Sequence, residues 1–297
     1  MKLSVCIISF NEEKNIRYPL DSAYDLADEI VLIDGGSTDN TVNIAKTYGD
    51  KIKIFNFDNP KNFLKNKQRA IDKANGEWIF QLDADEAVSE ELKKEIRSVI
   101  TDPANKGLLN KNLDTEFFYS QRSPTSSRFP AQKKLVSSVL HRNYNGYWIP
   151  RKNLFLNRFL MKGGVYPDSV LRLYKREGAK FDLNHLHENV VIKGDAGNLK
   201  NAILHYADPD FSRYLMRWDR YTTFDAEKLV EQDKKINFFS YFFIKPFVWF
   251  IKTYFRHKGF IDGFPGFVFS LFSSIRFWVI YIKYWNIKNK VDIKELS

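Results

Sequence analysis

The sequence contains a single cysteine, Cys6, among 297 residues, so no disulfide can form within the chain and a reducing, cytosolic setting is expected. Long uncharged runs are also missing. The longest stretch without Asp, Glu, Lys or Arg is the thirteen residues 263–275, short of the ~18 expected for a transmembrane helix; a spanning segment is therefore not expected. The first residues pass from Met1 and Lys2 through six strand-like residues into Asn11, Glu12 and Glu13, without the apolar core of a signal peptide. No nucleic-acid-binding motif is found, so nucleic acid is not an expected partner.

Positive charge is plentiful but unevenly placed. Residues 1–100 carry 14 basic and 18 acidic residues, 101–200 carry 17 and 8, and 201–297 carry 15 and 10. The acidic first third is followed by a basic remainder suited to phosphate-bearing or anionic-lipid partners.

Within that acidic third, the apolar run Trp78-Ile79-Phe80-Gln81-Leu82 ends in Asp83-Ala84-Asp85-Glu86. Two carboxylates converging where a buried strand opens into a loop can hold Mg2+ or Mn2+, which bind through few carboxylates and keep waters and substrate phosphates in the rest of their shell. The alternative is that Asp83 and Asp85 are turn and N-cap residues. Strand-like runs at 3–9, 29–34, 52–57 and 78–83 alternate with helical spacing at 11–27, 40–49 and 63–74. Such alternation predicts an α/β fold with a mainly parallel sheet and helices on both faces, with ligands collecting at the carboxyl ends of the strands. Three strands end there in polar or acidic residues: Ser9 to Asn11, Asp34 to Asp39, and Asp83 to Glu86.

These residues carry a family likeness. Ser9-Phe10-Asn11-Glu12-Glu13, Val31-Leu32-Ile33-Asp34-Gly35-Gly36-Ser37-Thr38-Asp39 and Gly76-Glu77-Trp78 leading to Asp83-Ala84-Asp85-Glu86 resemble family 2 glycosyltransferases of the GT-A fold, a Rossmann-like mixed sheet. The Ala-Asp-Glu ending and the later His187-Glu188 are most similar to the subgroup that includes lipopolysaccharide core β-1,4-glucosyltransferases. The resemblance implies a nucleotide-diphosphate sugar held by Ser9, Asn11, Glu13, Asp34, Lys67 and Asp83, with Asp34 at the base and Asp83 near the ribose or diphosphate. It implies Asp85 as metal-binding acid, His205 as a further ligand and Glu188 as the base of an inverting transfer. Asp168 and Arg172 are implied beside a lipid-linked or cell-envelope saccharide acceptor. Two departures stand out: the family commonly has two aspartates before Gly-Ser-Thr-Asp where this chain has Asp34-Gly35, and Arg-Asn where it has Lys67-Gln68.

Other classes fit less well. A sugar-phosphate nucleotidyltransferase wants a glycine-rich, basic loop after the first strand, and here it is acidic. A zinc protease needs a second histidine four residues after its first, and position 191 is Val191. A non-catalytic membrane or nucleic-acid adaptor on a degenerate transferase scaffold is the remaining alternative. Elsewhere, residues 105–138 read as loops with a strand at 116–120 and an acceptor loop at 122–128. The stretch from Gly163 to Tyr174 reads as a hairpin leading into an edge strand, or as an acceptor loop.

From 236 to 285, twenty of fifty residues are aromatic against 16% for the whole chain. Lys245, Lys252 and Arg256, and then Arg276 and Lys283, form basic stripes on two aromatic helices separated by Gly259, Gly263, Pro265 and Gly266. The expected organisation is a transferase domain over 1–235 and a membrane-associating helical region over 236–297. That region lies against an anionic membrane surface, peripheral on the cytoplasmic face. A helical homodimer through these helices, or an element covering the core, is the alternative.

Overall fold

The computed structural model describes residues 2–60, 62–101, 144–183, 190–208 and 210–289. The chain forms two compact units, Met1–Lys152 with Pro167–His205, and Asn153–Tyr166 with Tyr206–Ser297.

In the first unit the elements run β1 (Leu3–Ser9), α1 (Arg17–Ala23), β2 (Glu29–Asp34), α2 (Thr41–Lys46), β3 (Ile52–Asn56), α3 (Leu64–Lys73), β4 (Trp78–Asp83), β5 (Glu86–Val88) and α4 (Glu90–Thr101). They continue with β6 (Gly146–Ile149), β7 (Arg151–Phe155), which leads into the second unit with β8 (Arg158–Phe159), then β9 (Val170–Lys175), β10 (Lys180–Phe181), β11 (Val190–Val191), β12 (Ala196–Asn198) and β13 (Ile203–Asp208). Seven strands form the main sheet in the order β12-β6-β9-β4-β1-β2-β3. β1 to β4 are mutually parallel, and β9 runs antiparallel to both β4 and β6. The mixed, mainly parallel α/β architecture expected from the alternation is therefore present.

Strand periodicity sorts the core. Leu3, Val5 and Ile7, with Ile30, Leu32, Trp78, Phe80 and Leu82, pack under Leu20 and Ala23 of α1 and Leu92, Ile96 and Val99 of α4. The alternate residues Cys6, Val31, Ile33 and Ile79 pack on Leu64, Ala70 and Ile71 of α3. Both faces are covered, which is why these strands read as near-continuous apolar runs.

Two expectations are corrected here. β9 is an internal strand, hydrogen-bonded on both sides, and not an edge; its first five residues are all buried. The helix expected over 11–27 is only α1, because Asn11 adopts a left-handed φ of 55° and starts a turn. The strand at 116–120 and the loop at 122–128 lie outside the described residues.

In the second unit, β7 and β8 close a hairpin whose two turn residues, Leu156 and Asn157, both have positive φ, the type I′ geometry that matches strand twist. α5 (Phe211–Glu231) begins at Asp210, whose side chain accepts from Arg213 N at 2.8 Å. The first of the two aromatic helices expected alternates in character: π-helix at Ser240–Ile244, α6 (Lys245–Phe250), and π-helix again at Ile251–Arg256. A 3₁₀ turn, Gly259–Asp262, leads into α7 (Gly263–Lys288). Pro265 and Gly266, expected to break the chain, lie inside the first turn of α7, where proline's missing N–H costs nothing. Gly266 is needed there, since a Cβ would stand 2.0 Å from the Gly259 carbonyl. Residues Gly259–Lys288 are long and apolar enough by length and composition to cross a membrane, with 28% of the apolar window buried. The charge-free run 263–275 lies within this helix, which continues through Arg276 and Lys283.

Glu29, at the start of β2, is buried and accepts from Ser4 Oγ at 2.6 Å, Asn75 N at 2.6 Å, Asn75 Nδ2 at 3.1 Å and Lys53 Nζ at 2.6 Å. Burial pushes its carboxyl up, but Lys53 and these donors together bring it from 4.5 down to about 2. Its stabilisation is therefore complete above the unfolded value and is lost as pH falls from about 4.5 toward about 2. We expect Glu29→Gln to cost on the order of 2 kcal/mol near neutrality, with the difference from the parent shrinking across that window in urea titrations. A difference constant down to the lowest pH would remove the assignment.

Candidate functional site

Sheet register assembles the rim. Ser9 pairs with Asp34, Asp34 with Asn56, and Ile8 with Asp83, so the carboxyl ends of β1 to β4 finish on one line. The turns after β1 and β2 are then tied together. Asn11 N donates to Ser37 Oγ at 2.8 Å, and Asn11 Oδ1 accepts from Thr38 N at 2.8 Å. Glu13 N donates to Asp39 Oδ2 at 3.0 Å, and Glu13 Oε2 accepts from Asn40 N at 3.1 Å. Asn11 suits its left-handed position because asparagine is among the side chains that tolerate it.

Asp34 is buried and accepts four hydrogen bonds: from Ser9 Oγ at 2.9 Å, Ser37 Oγ at 2.6 Å, Gly36 N at 3.0 Å and Ser37 N at 2.7 Å. A carboxylate has about four acceptor sites, so Asp34 is fully engaged in shaping the glycine turn, where Gly36 holds φ at 82°.

At the end of β4 a connected set of six charges forms. Asp83 pairs with Lys67 Nζ at 2.9 Å and with Arg172 Nη2. Glu86, wholly buried, accepts from Asp83 N at 2.9 Å, from Arg172 Nη2 at 3.3 Å and from Arg151 Nη1 at 3.2 Å. Arg151 in turn holds Asp168 Oδ2 through Nε at 3.0 Å and Nη2 at 2.6 Å. Three cations meet three carboxylates, which makes their burial tolerable. Burial pushes the Asp83 carboxyl up, but Arg172 and Lys67 outweigh it and hold it well below the ordinary carboxylate range. Asp168 and Glu86 likewise keep Arg151 above its ordinary value against its burial.

Asp85 follows on the turn into β5, and β5 pairs antiparallel with the start of β13, placing His205 opposite Glu86. His205 Nε2 lies 3.4 Å from Asp85 Oδ1. Among the described residues no group of three or more His, Cys, Asp or Glu side chains is placed to hold a metal. The Asp85–His205 pair nevertheless fits a six-coordinate ion, since adjacent ligands at roughly 2.1 Å from a metal stand about 3 Å apart. The oxygen and imidazole donors suit manganese or magnesium, with waters and phosphate oxygens filling the shell.

The structure thus gathers Ser9, Asn11, Glu13 and Asp34 at the ends of β1 and β2. It joins Lys67, Asp83 and Arg172 directly, Asp168 through Arg151, and Asp85 with His205. Arg172 is 4% exposed, pressed against Asp83 and Glu86. Glu188 and His187 lie outside the described residues. Sequence reasoning missed Arg151. Its signal was phase: Tyr147 and Ile149 are the inward residues of an alternating run, and an arginine two positions on requires a buried acid.

Arg172→Met should leave Asp83 and Glu86 without a shared cation and cost roughly 3–5 kcal/mol, read as a lower urea midpoint. A variant as stable as the parent would show that the pairs hold nothing together.

A family model described as Glycosyl transferase family 2 matches residues 4–180. The lipopolysaccharide core biosynthesis glycosyltransferase LpsC of Rhizobium meliloti is 24% identical over 295 residues, covering 94% of this chain and 92% of that protein. An uncharacterized glycosyltransferase of Rickettsia prowazekii is 29% identical over 287 residues, covering 93% of this chain and 84% of its own. Among solved structures, S. aureus TarS 1-349 in complex with UDP-GlcNAc aligns at 14% identity and a TM-score of 0.43, covering 96% of this chain and 88% of that one.

Proposed function

The chain belongs to glycosyl transferase family 2, and on that premise we propose that it is a metal-dependent, inverting transferase. It moves a sugar from a nucleotide-diphosphate donor to a lipid-linked or cell-envelope saccharide at the cytoplasmic face of a membrane. The observation that carries this reading is the single rim on which the tied turns after β1 and β2 and the Asp83–Asp85–His205 corner meet. The saccharide class follows from the relative named for lipopolysaccharide core biosynthesis.

In this reading the tied turns bearing Ser9, Asn11 and Glu13 receive the nucleotide, with the Asp34 turn fixed beneath the base. Lys67 and Arg172 keep Asp83 ionised and in place beside the ribose or diphosphate. Asp85 and His205 hold a divalent ion. When bound, such an ion offsets the negative charge that gathers on the departing diphosphate. Glu188 takes the proton from the attacking acceptor hydroxyl as the sugar's anomeric carbon inverts. Asp168, with its side chain 26% exposed, contacts the acceptor, while the largely covered Arg172 reaches it through Asp83.

The membrane part of the proposal rests on the second unit. Phe239, Phe243, Phe247, Ile251 and Phe255 recur every fourth residue and are all 40–68% exposed. A π turn closes i→i+5 bonds and holds more residues than the α-helix's 3.6. Interleaving the two brings the average near four per turn, so these five side chains stay aligned as one apolar ridge instead of spiralling away. Such a ridge suits the acyl boundary of a bilayer interface.

We expect Glu188→Gln to lower sugar transfer by roughly 10²-fold or more with the melting temperature unchanged. Asp85→Asn and His205→Gln should each raise the manganese concentration needed for half-maximal transfer, and chelation should abolish activity in the parent. Full turnover in Glu188→Gln, or manganese titrations that coincide, would remove those roles.

A further inference from the structure

The inner side of the same helical ribbon holds an unusual gathering of cations. Between residues 236 and 289 there are seven Lys or Arg and one acid, Asp262. That acid is buried and caps the backbone N–H groups of Met161 and Lys162 at 3.0 and 2.7 Å. Lys283 and Lys288 have carboxylate partners in Asp219 and Asp233. Lys245, Lys252 and Arg276 have no ion pair among the described residues; they lie over aromatic rings instead.

Trp249 is flanked by two of them, with Lys252 Nζ and the Arg276 guanidinium carbon each 4.9 Å from its ring centre. Arg276 also sits 5.1 Å from the Phe277 ring, and Lys245 Nζ lies 5.8 Å from that ring and 3.5 Å from the ring of Tyr241. Three positive groups are thus held by three packed aromatics. Two donors within this cluster, Trp249 Nε1 and Arg276 Nε, are buried without a hydrogen-bond partner among the described residues, each a cost that an acceptor would remove. Burial lowers the proton affinity of Lys245, and likewise of Arg276, for which the charges of Asp225 and Tyr214 only partly compensate. All of this describes a place prepared for an anion with several acceptor oxygens.

Its position says which anion. Tyr241, Lys245 and Trp249 also recur every fourth residue, two positions out of step with the apolar ridge, and so lie about half a turn away from it. A helix is ~10–12 Å across with its side chains. If the ridge enters the acyl boundary to a depth of ~5–10 Å, the opposite side of the helix stands at the level of the lipid phosphates. We propose that Lys245, Lys252 and Arg276 around Trp249 form a binding site for the phosphate of an acidic phospholipid headgroup. This deepens the membrane reading above and rests on it: the ridge supplies adsorption and the cationic cluster selects the charge of the leaflet.

The test uses the full chain in flotation with vesicles of phosphatidylcholine alone and of phosphatidylcholine containing phosphatidylglycerol. The parent should prefer the acidic vesicles by at least about tenfold. Lys252→Gln combined with Arg276→Gln should lose that preference yet still float with neutral vesicles, whereas Phe243→Ser with Phe247→Ser should lose binding to both. A cation variant that keeps the parent's preference overturns the site. Should Arg276→Gln fail to fold, Lys252→Gln alone, at a position that is part-exposed, decides by the same comparison.

A second arm separates this site from the membrane reading. Short-chain phosphatidylglycerol, below its micelle concentration, should change the tryptophan fluorescence of the parent but not that of Trp249→Phe. If the parent floats with no vesicle but gives this signal, the ridge reading falls and the headgroup site stands; absence of the signal overturns the site. An equal response to inorganic phosphate at the same concentration would overturn the lipid assignment, as would lipid-independent dimerisation that occludes Trp249, seen by sedimentation.

Discussion

One guanidinium sets the geometry of the rim. Arg172 reaches both Asp83 at the end of β4 and Glu86 at the start of β5, so it bridges the two ends of the turn that carries Asp85. The strand that bears it, β9, is antiparallel and inserted beside β4. A parallel neighbour would present its carboxyl end, with its own loop, at this level; the antiparallel strand instead begins there with Val170 to Arg172. The reversal in strand direction and the set of six charges are thus linked. β9 brings Arg172 to the mouth of the sheet, where Lys67 of α3 and Arg151 of β7 supply the other two cations for the three carboxylates.

The same reasoning explains the division of labour among the acids. Asp83 and Glu86 are neutralised from within the protein, and Asp34 is occupied by three hydrogen bonds of its own turn and one from Ser9. Asp85 faces the imidazole of His205 at 3.4 Å. Carboxylate and imidazole donors can share a divalent ion, which is why the proposed metal role falls to Asp85 among three acids within four residues.

Much of the first hundred residues was legible because their structure is local. Period-two apolar runs bounded by helical spacing place β1 to β4 and α3 directly, and register then brings Ser9, Asp34 and Asp83 onto one line with no further information. What could not be read depends on partners far along the chain. The internal position of β9 is set by hydrogen bonds to β4, 93 to 97 residues earlier, and Arg151 takes its meaning from Glu86 and Asp168, 65 and 17 residues away. The C-terminal region shows a different failure: composition and charge spacing were clear, but a seven-then-four spacing was referred to an α-helix, and the alternation of π and α turns cannot be seen in residue types alone.

That alternation leaves the ribbon with surplus residues. Each π turn is an α-helix holding one amino acid more than its ladder of hydrogen bonds requires, retained only because the neighbours fix it there. The two surpluses, around Ser240–Ile244 and Ile251–Arg256, act on phase as a vernier does: each offsets the drift that an uninterrupted helix would accumulate. A deletion of one residue inside either turn would therefore be backbone-neutral locally, relaxing it to ordinary helix, while rotating everything beyond it by about 100°. In this segment, length heredity is bound more tightly than side-chain identity: phenylalanine can give way to leucine, but the count between Phe239 and Phe255 cannot change.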